Sequence, residues 1–184
     1  MRKRTMWWLM LGGALLAAGF YYSRAALATP ANSNFKATTI ATGTFSDIDV
    51  FNQASGKLLP EGSDDPVWLS LQKTKGRSDL YVQSNAWQPG GSTGWHTHPG
   101  HSLIIVTSGV LTEYDDDCTA HTYTFITGQP APTLIDPGHG HVHIIRNEGT
   151  VPASSIAVQL VPYDPNKQNR RIDAPAPANC SYIH

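Results

Sequence analysis

An all-β sandwich or barrel is the fold class this sequence predicts. Three observations carry that prediction. From about residue 37 to 162, short runs rich in β-branched, aliphatic and aromatic residues recur between Gly, Pro, Asp and Asn turns. After residue 30 no stretch holds a long helical period. The pair His96 and His98 also suits an extended strand, where side chains one residue apart share a face.

The first element is a segment outside the fold. Arg2, Lys3 and Arg4 precede an uncharged, mostly apolar run from Met6 to Tyr22, and Ala26-Leu27-Ala28 supplies small residues at a cleavage site. Residues 1–28 therefore read as a signal peptide cut between Ala28 and Thr29, placing the mature protein in the periplasm or outside the cell. The alternative is an uncleaved membrane anchor over residues 6–22, whose length approaches a bilayer span. Cleavage leaves 156 residues (184 less 28), enough for one well-cored domain. The leader removes four of 13 basic residues and none of the 14 acidic ones, so the mature charge is −5. Without a basic stripe, nucleic acid is excluded as a partner class.

Residues 29–42 read as a linker or N-terminal arm, because Thr29-Pro30-Ala31-Asn32-Ser33-Asn34 is turn-forming. The barrel domain is expected over 43–162. Its strand runs are Val67–Gln72, Leu80–Gln83, Leu103–Val106, Val110–Tyr114, His121–Thr127, His141–Arg146 and Ser155–Val161. Residues 163–184 read as an irregular, Pro-rich tail. Cys118 follows Asp115-Asp116-Asp117 in a turn and Cys180 lies in that tail. A disulfide between them would pin the tail to the barrel, and it suits an exported chain better than two free thiols do.

Chemistry concentrates at three histidines. With His96 and His98 on one strand face, His143 from a distant strand can close a three-nitrogen face around one metal ion. Imidazole suits zinc, copper, iron and nickel alike, so the residues narrow the metal without naming it. His101 and His141 are the candidate acid/base groups, His141 because it would share a strand face with His143. Trp95 alternates with His96 and should face away from the metal. Trp68 and Trp87 are expected in the core or on the cavity wall. Phosphate loops, nucleophile elbows and Cys-x-x-Cys pairs are missing from the sequence.

The segment Gly90-Gly91-Ser92-Thr93-Gly94-Trp95-His96-Thr97-His98-Pro99-Gly100 resembles the first motif of the cupin superfamily, which Gly109 would close. Gly140, His143 and Asn147 match the second cupin motif in spacing, and Pro137 lies one position early. The resemblance covers residues 67 to 162 and looks most like small exported bacterial cupins. It implies a double-stranded β-helix (a jelly-roll barrel) with one divalent metal, Fe, Mn, Zn, Cu or Ni, on His96, His98 and His143. Pairing of two copies into a homodimer through strand edges is likewise implied.

One position departs from the pattern: Ser102 stands where the family's glutamate ligand is usual, and Leu103 at the alternative spacing cannot ligate. Three neutral imidazoles leave the metal's charge uncompensated, so its open positions would draw an anionic ligand. Two function classes follow. One is a metal-dependent, dioxygenase-type oxidoreductase acting on a small anionic molecule. The other is a non-catalytic metal- or small-ligand-binding protein or sensor of the cell envelope.

Overall fold

The computed structural model describes residues 28–184 other than 63, 65 and 169. The expected signal segment, residues 1–28, lies outside them except for Ala28, which bridges to Pro175. No helix among the described residues is long and apolar enough to cross a membrane. Among the described residues helix is limited to two 3-10 turns, Gly56–Leu58 and Ala178–Cys180.

Two five-stranded antiparallel sheets face each other. The first runs in the order β1 (Phe35–Phe45), β4 (Ser78–Trp87), β11 (Ala153–Pro162), β6 (Ser102–Ser108), β9 (Thr133–Asp136). The second runs β12 (Ile172–Asp173), β5 (His96–Thr97), β10 (His143–Arg146), β7 (Val110–Asp115), β8 (Ala120–Thr124). The chain crosses repeatedly from one sheet to the other, which winds it into a double-stranded β-helix. The remaining two strands, β2 (Asp49–Ser55) and β3 (Val67–Lys73), pair only with each other.

Alternation along each strand sets what lies between the sheets. On β11, Ala153, Ser155, Ala157 and Gln159 are buried while Ser154, Ile156 and Val158 are less so. Trp87, Ile104, Val106, Leu111, Leu134, Ile145, Ala153 and Ala157 fill one end of the interior as an apolar core. The opposite end is polar and holds the histidines. A second core lies on the outer face of the second sheet, where Trp95, Ile144, Cys180 and Ile183 pack together under the tail. Trp95 thus points away from His96, as alternation requires, and its Nε1 donates to the carbonyl of Ile183 at 3.1 Å.

Four expectations are corrected. The arm is no linker: Phe35–Phe45 forms an 11-residue strand along β4, and Asn32 bonds through its amide to Gly90 and Ser92. Its turn-forming residues serve docking rather than slack. The tail is only partly irregular, because Ile172–Asp173 pairs with β5, a register no two-residue pattern could announce. Trp68 is neither core nor cavity; it is 51% exposed, since β3 lies off the sandwich. The strand expected from His141 begins at His143. The disulfide joins Cys118 and Cys180 and fastens the tail to the β7–β8 turn.

Candidate metal centre

His96 opens the short β5 and His98 follows directly after it, and His143 on β10 pairs with His96. All three imidazoles lie on the inner side, with ring centroids 4.4 to 5.9 Å apart. One ring nitrogen from each lies within 4.8 Å of the others. The structure therefore brings together the three histidines the sequence singled out.

Backbone carbonyls orient two of these rings. His96 Nδ1 lies 2.9 Å from the carbonyl of Gly94, and His98 Nδ1 lies 2.6 Å from that of Arg170. A donor bond from His96 to Gly94 places its proton on Nδ1 and leaves the Nε2 lone pair free, the arrangement that metal-bound histidines use. His98 Nδ1 also meets the Gln159 side-chain amide nitrogen at 2.6 Å, so two partners hold that ring in place. Gly94 holds its carbonyl in place through φ of +66°, and a Cβ there would sit 2.0 Å from the Thr29 carbonyl. This is one reason the motif needs glycine.

Burial favours the neutral ring. Loss of water pushes the pKa of His96 well below the ordinary value, and the neighbouring His143, Arg171 and His98 charges lower it further. Burial lowers His98 too, against the opposing Arg170 carbonyl and Asp136. His143 falls to about 4, again chiefly through burial, with Asp136 resisting. Three imidazoles kept neutral and converging on one point suit a divalent transition metal.

The cavity beside them measures about 80 Å³, several times the ~10–15 Å³ that one water requires. Gln83, Asn85, Ser155 and Gln159 line it with the histidines, and Trp87, Leu111 and Ile145 close its apolar floor. Two arginines of the tail, Arg170 and Arg171, complete the wall. Arg171 is held by the Thr93 carbonyl at 2.6 Å and by Asp173 at 2.7 Å. Sequence reading missed both arginines, because nothing in a tail of prolines and polar residues tells which part folds back.

Ser102 lines the cavity, as expected for a residue at the acid position. Its partner across the register is Asp136 on β9, with Oγ 3.5 Å from the Asp136 carboxylate. Asp136 also approaches His98 Nε2 at 3.8 Å and His143 Nδ1 at 4.0 Å. A carboxylate therefore stands beside the histidines after all, from a strand the sequence did not disclose.

The two acid/base candidates sit elsewhere. His101 lines a groove on the other face of the first sheet, with Leu80, Leu103 and Leu160, and not the metal cavity. It follows the glycine turn that carries the chain across. His141 stacks on His143 at 5.3 Å but faces Asp115 and Asp136. With the strand starting at His143, the turn before it directs His141 away from the cavity.

The first sheet in the order β1-β4-β11-β6-β9, packed on β5-β10-β7-β8 with a histidine pair at β5 and its end and a third histidine on β10, decides the architecture. The fold is a cupin-type double-stranded β-helix. Among solved structures the chain is similar to a sugar phosphate isomerase of the cupin superfamily from Silicibacter pomeroyi, at 22% identity and TM-score 0.38 over 46% of this chain and 51% of that one. It is also similar to a Klebsiella pneumoniae protein with a double-stranded β-helix domain, at 20% identity and TM-score 0.41, covering 52% and 74%. A predicted oxalate decarboxylase from Thermotoga maritima aligns at 19% identity and TM-score 0.37, covering 47% and 83%. The chain thus spans about half of the isomerase it matches. No protein-family model matches the sequence, and no curated protein does.

Proposed function

We propose that this chain is an exported member of the cupin superfamily that holds one divalent transition metal through His96, His98 and His143, and admits a small anion beside it. One observation carries the reading. His96, His98 and His143 each bring one ring nitrogen within 4.8 Å of the other two, and backbone carbonyls hold Nδ1 of the first two rings in place.

The residues fit the ion: three neutral nitrogen donors, buried, with a carboxylate alongside. When bound, such an ion supplies Lewis acidity at its open positions, with oxygen chemistry added for iron or copper. The chain supplies the rest. Arg170 and Arg171 give the cavity positive charge from the wall formed by the tail, and a guanidinium pairs readily with a carboxylate or similar anion. Gln83, Asn85 and Gln159 offer hydrogen bonds, while Trp87, Leu111 and Ile145 exclude water from the inner end. The disulfide agrees with an oxidising compartment.

A dioxygenase-type enzyme and a non-catalytic binding protein or envelope sensor share this description. The placement of His101 and His141 outside the cavity favours binding, since neither stands where it could move a proton for a bound molecule.

The test is elemental analysis of untagged protein spanning residues 29–184, beside His96→Ala and His143→Ala. One equivalent at the three-histidine face, lost in the first variant and in the second, is expected. Iron or copper would direct the search to oxygen uptake. No metal on purification and none on reconstitution would refute the reading.

A further inference from the structure

Behind the three-histidine face lies a second group of donors. Asp136, His141 and His143 each present one ligand atom within 4.8 Å of the other two. Asp136 Oδ1 stands 3.7 Å from His141 Nδ1 and 4.0 Å from His143 Nδ1. We propose that these three side chains form a second cation site for a divalent transition metal such as zinc or copper, sharing His143 with the first. The proposal rests on the three-histidine reading only through that shared ring.

Three observations point to a cation here. First, Asp136 is fully buried and its partners do not balance its charge. The Gly138 amide donates at 2.8 Å and Ser102 at 3.5 Å, but among the described residues its ion-pair contacts are all imidazoles. The other fully buried aspartate of β-sheet residues, Asp79, is answered by the Lys167 ammonium at 2.6 Å. An ionised carboxylate out of water needs such a partner.

Second, Nδ1 of His143 and Nδ1 of His141 are buried with no hydrogen bond of good geometry, and both face Asp136. His143 itself is 1% exposed. Buried polar atoms are rarely left so, and an ion between the two nitrogens and the carboxylate would partner all three.

Third, His141 is already oriented as a ligand. Its Nε2 lies 3.1 Å from Asp115 Oδ1, so the proton belongs there and the Nδ1 lone pair faces the group. A carboxylate–histidine pair behind a metal has this form. The His141 ring is partly exposed and opens the group to solvent. Ligands about 2.1 Å from an ion in tetrahedral geometry stand about 3.4 Å apart, so the two carboxylate–nitrogen separations of 3.7 and 4.0 Å lie within about 0.6 Å of that spacing.

Titration of the metal-free protein with Cu²⁺, read by isothermal calorimetry and electron paramagnetic resonance, tests this. Two equivalents are expected, with the two copper spins magnetically coupled through the His143 ring. His141→Ala and Asp136→Asn should each bind one equivalent with an uncoupled mononuclear spectrum. His96→Ala should lose the first position and keep the second, so failure of the three-histidine site is read separately. One equivalent in the parent, unchanged in His141→Ala, would overturn the proposal. So would a single equivalent lost entirely in Asp136→Asn, which would make Asp136 a ligand of the first ion.

Discussion

His98 Nδ1 lies 2.6 Å from the backbone carbonyl of Arg170. A side chain from the sequence motif at the centre of the barrel is thus oriented by the tail, 72 residues further along. The same tail segment brings its arginines to the cavity, and the Cys118–Cys180 bond anchors its far end.

Cutting that anchor should therefore weaken the metal as well as the fold. Cys118→Ser/Cys180→Ser opens a loop of 62 residues, for which chain entropy gives about 4 kcal/mol of lost stability. Loosening the Arg170 carbonyl should lower metal affinity roughly ten- to a hundredfold, as loss of a partner behind a ligand does. Competition with a chromophoric chelator measures the second effect on folded protein below its melting temperature. Unchanged affinity would show that Arg170 holds its place without the disulfide.

The buried histidines set a pH dependence with a definite sign. Their pKa values are depressed in the folded state, His143 to about 4, so the unfolded chain binds more protons below about pH 6.5. Their contribution to the stability of metal-free protein is complete above the unfolded value. It is lost as pH falls from there towards the folded values. Melting temperature should decline between pH 7 and 5, and a flat profile would contradict the burial. Metal affinity, which the sequence alone places in decline near ~6.5, should persist to lower pH, because competing protons bind these rings poorly.

Ser102→Glu restores the acid that the first motif lacks, but places it against Asp136. Two carboxylates there repel in the absence of an ion. Metal-free variant should lose about 1–3 kcal/mol in urea unfolding, and added Zn²⁺ should restore it. Equal stability of variant and parent without metal would mean that the new side chain points elsewhere.

Arg171→Ala should weaken binding of a small dicarboxylate such as oxalate to metal-loaded protein by roughly ten- to a hundredfold, the worth of one charged hydrogen bond. Because Arg171 also bonds Thr93 and Asp173, Arg171→Lys serves as a control for the positive charge. Calorimetry reads both. Undiminished affinity in the alanine variant would remove Arg171 from the ligand's surroundings.

Local chemistry was legible in the sequence; long-range pairing was not. His96 and His98 could be placed on one face because strand alternation is a property of neighbours, and Trp95 followed from the same rule. Cys118 and Cys180 could be paired because they are the chain's two cysteines. Asp136 escaped notice because its approach to His98 depends on the register of β9 against β6, which neither strand encodes alone. The arginines were hidden for the same reason: a two-residue strand, Ile172–Asp173, docks them through pairing with β5. His101 and His141 were misplaced because a turn, unlike a strand, gives no fixed direction to its side chains.

Dependence of His98 on the Arg170 carbonyl has a consequence for biosynthesis. A chain made from its N-terminus carries all three histidines long before the tail that orients one of them. Until that tail emerges and Cys180 finds Cys118, His98 lacks the carbonyl that orients it. Metal capture with full affinity is thereby tied to synthesis of the tail, and a product truncated before Arg170 would be a poor competitor for the ion.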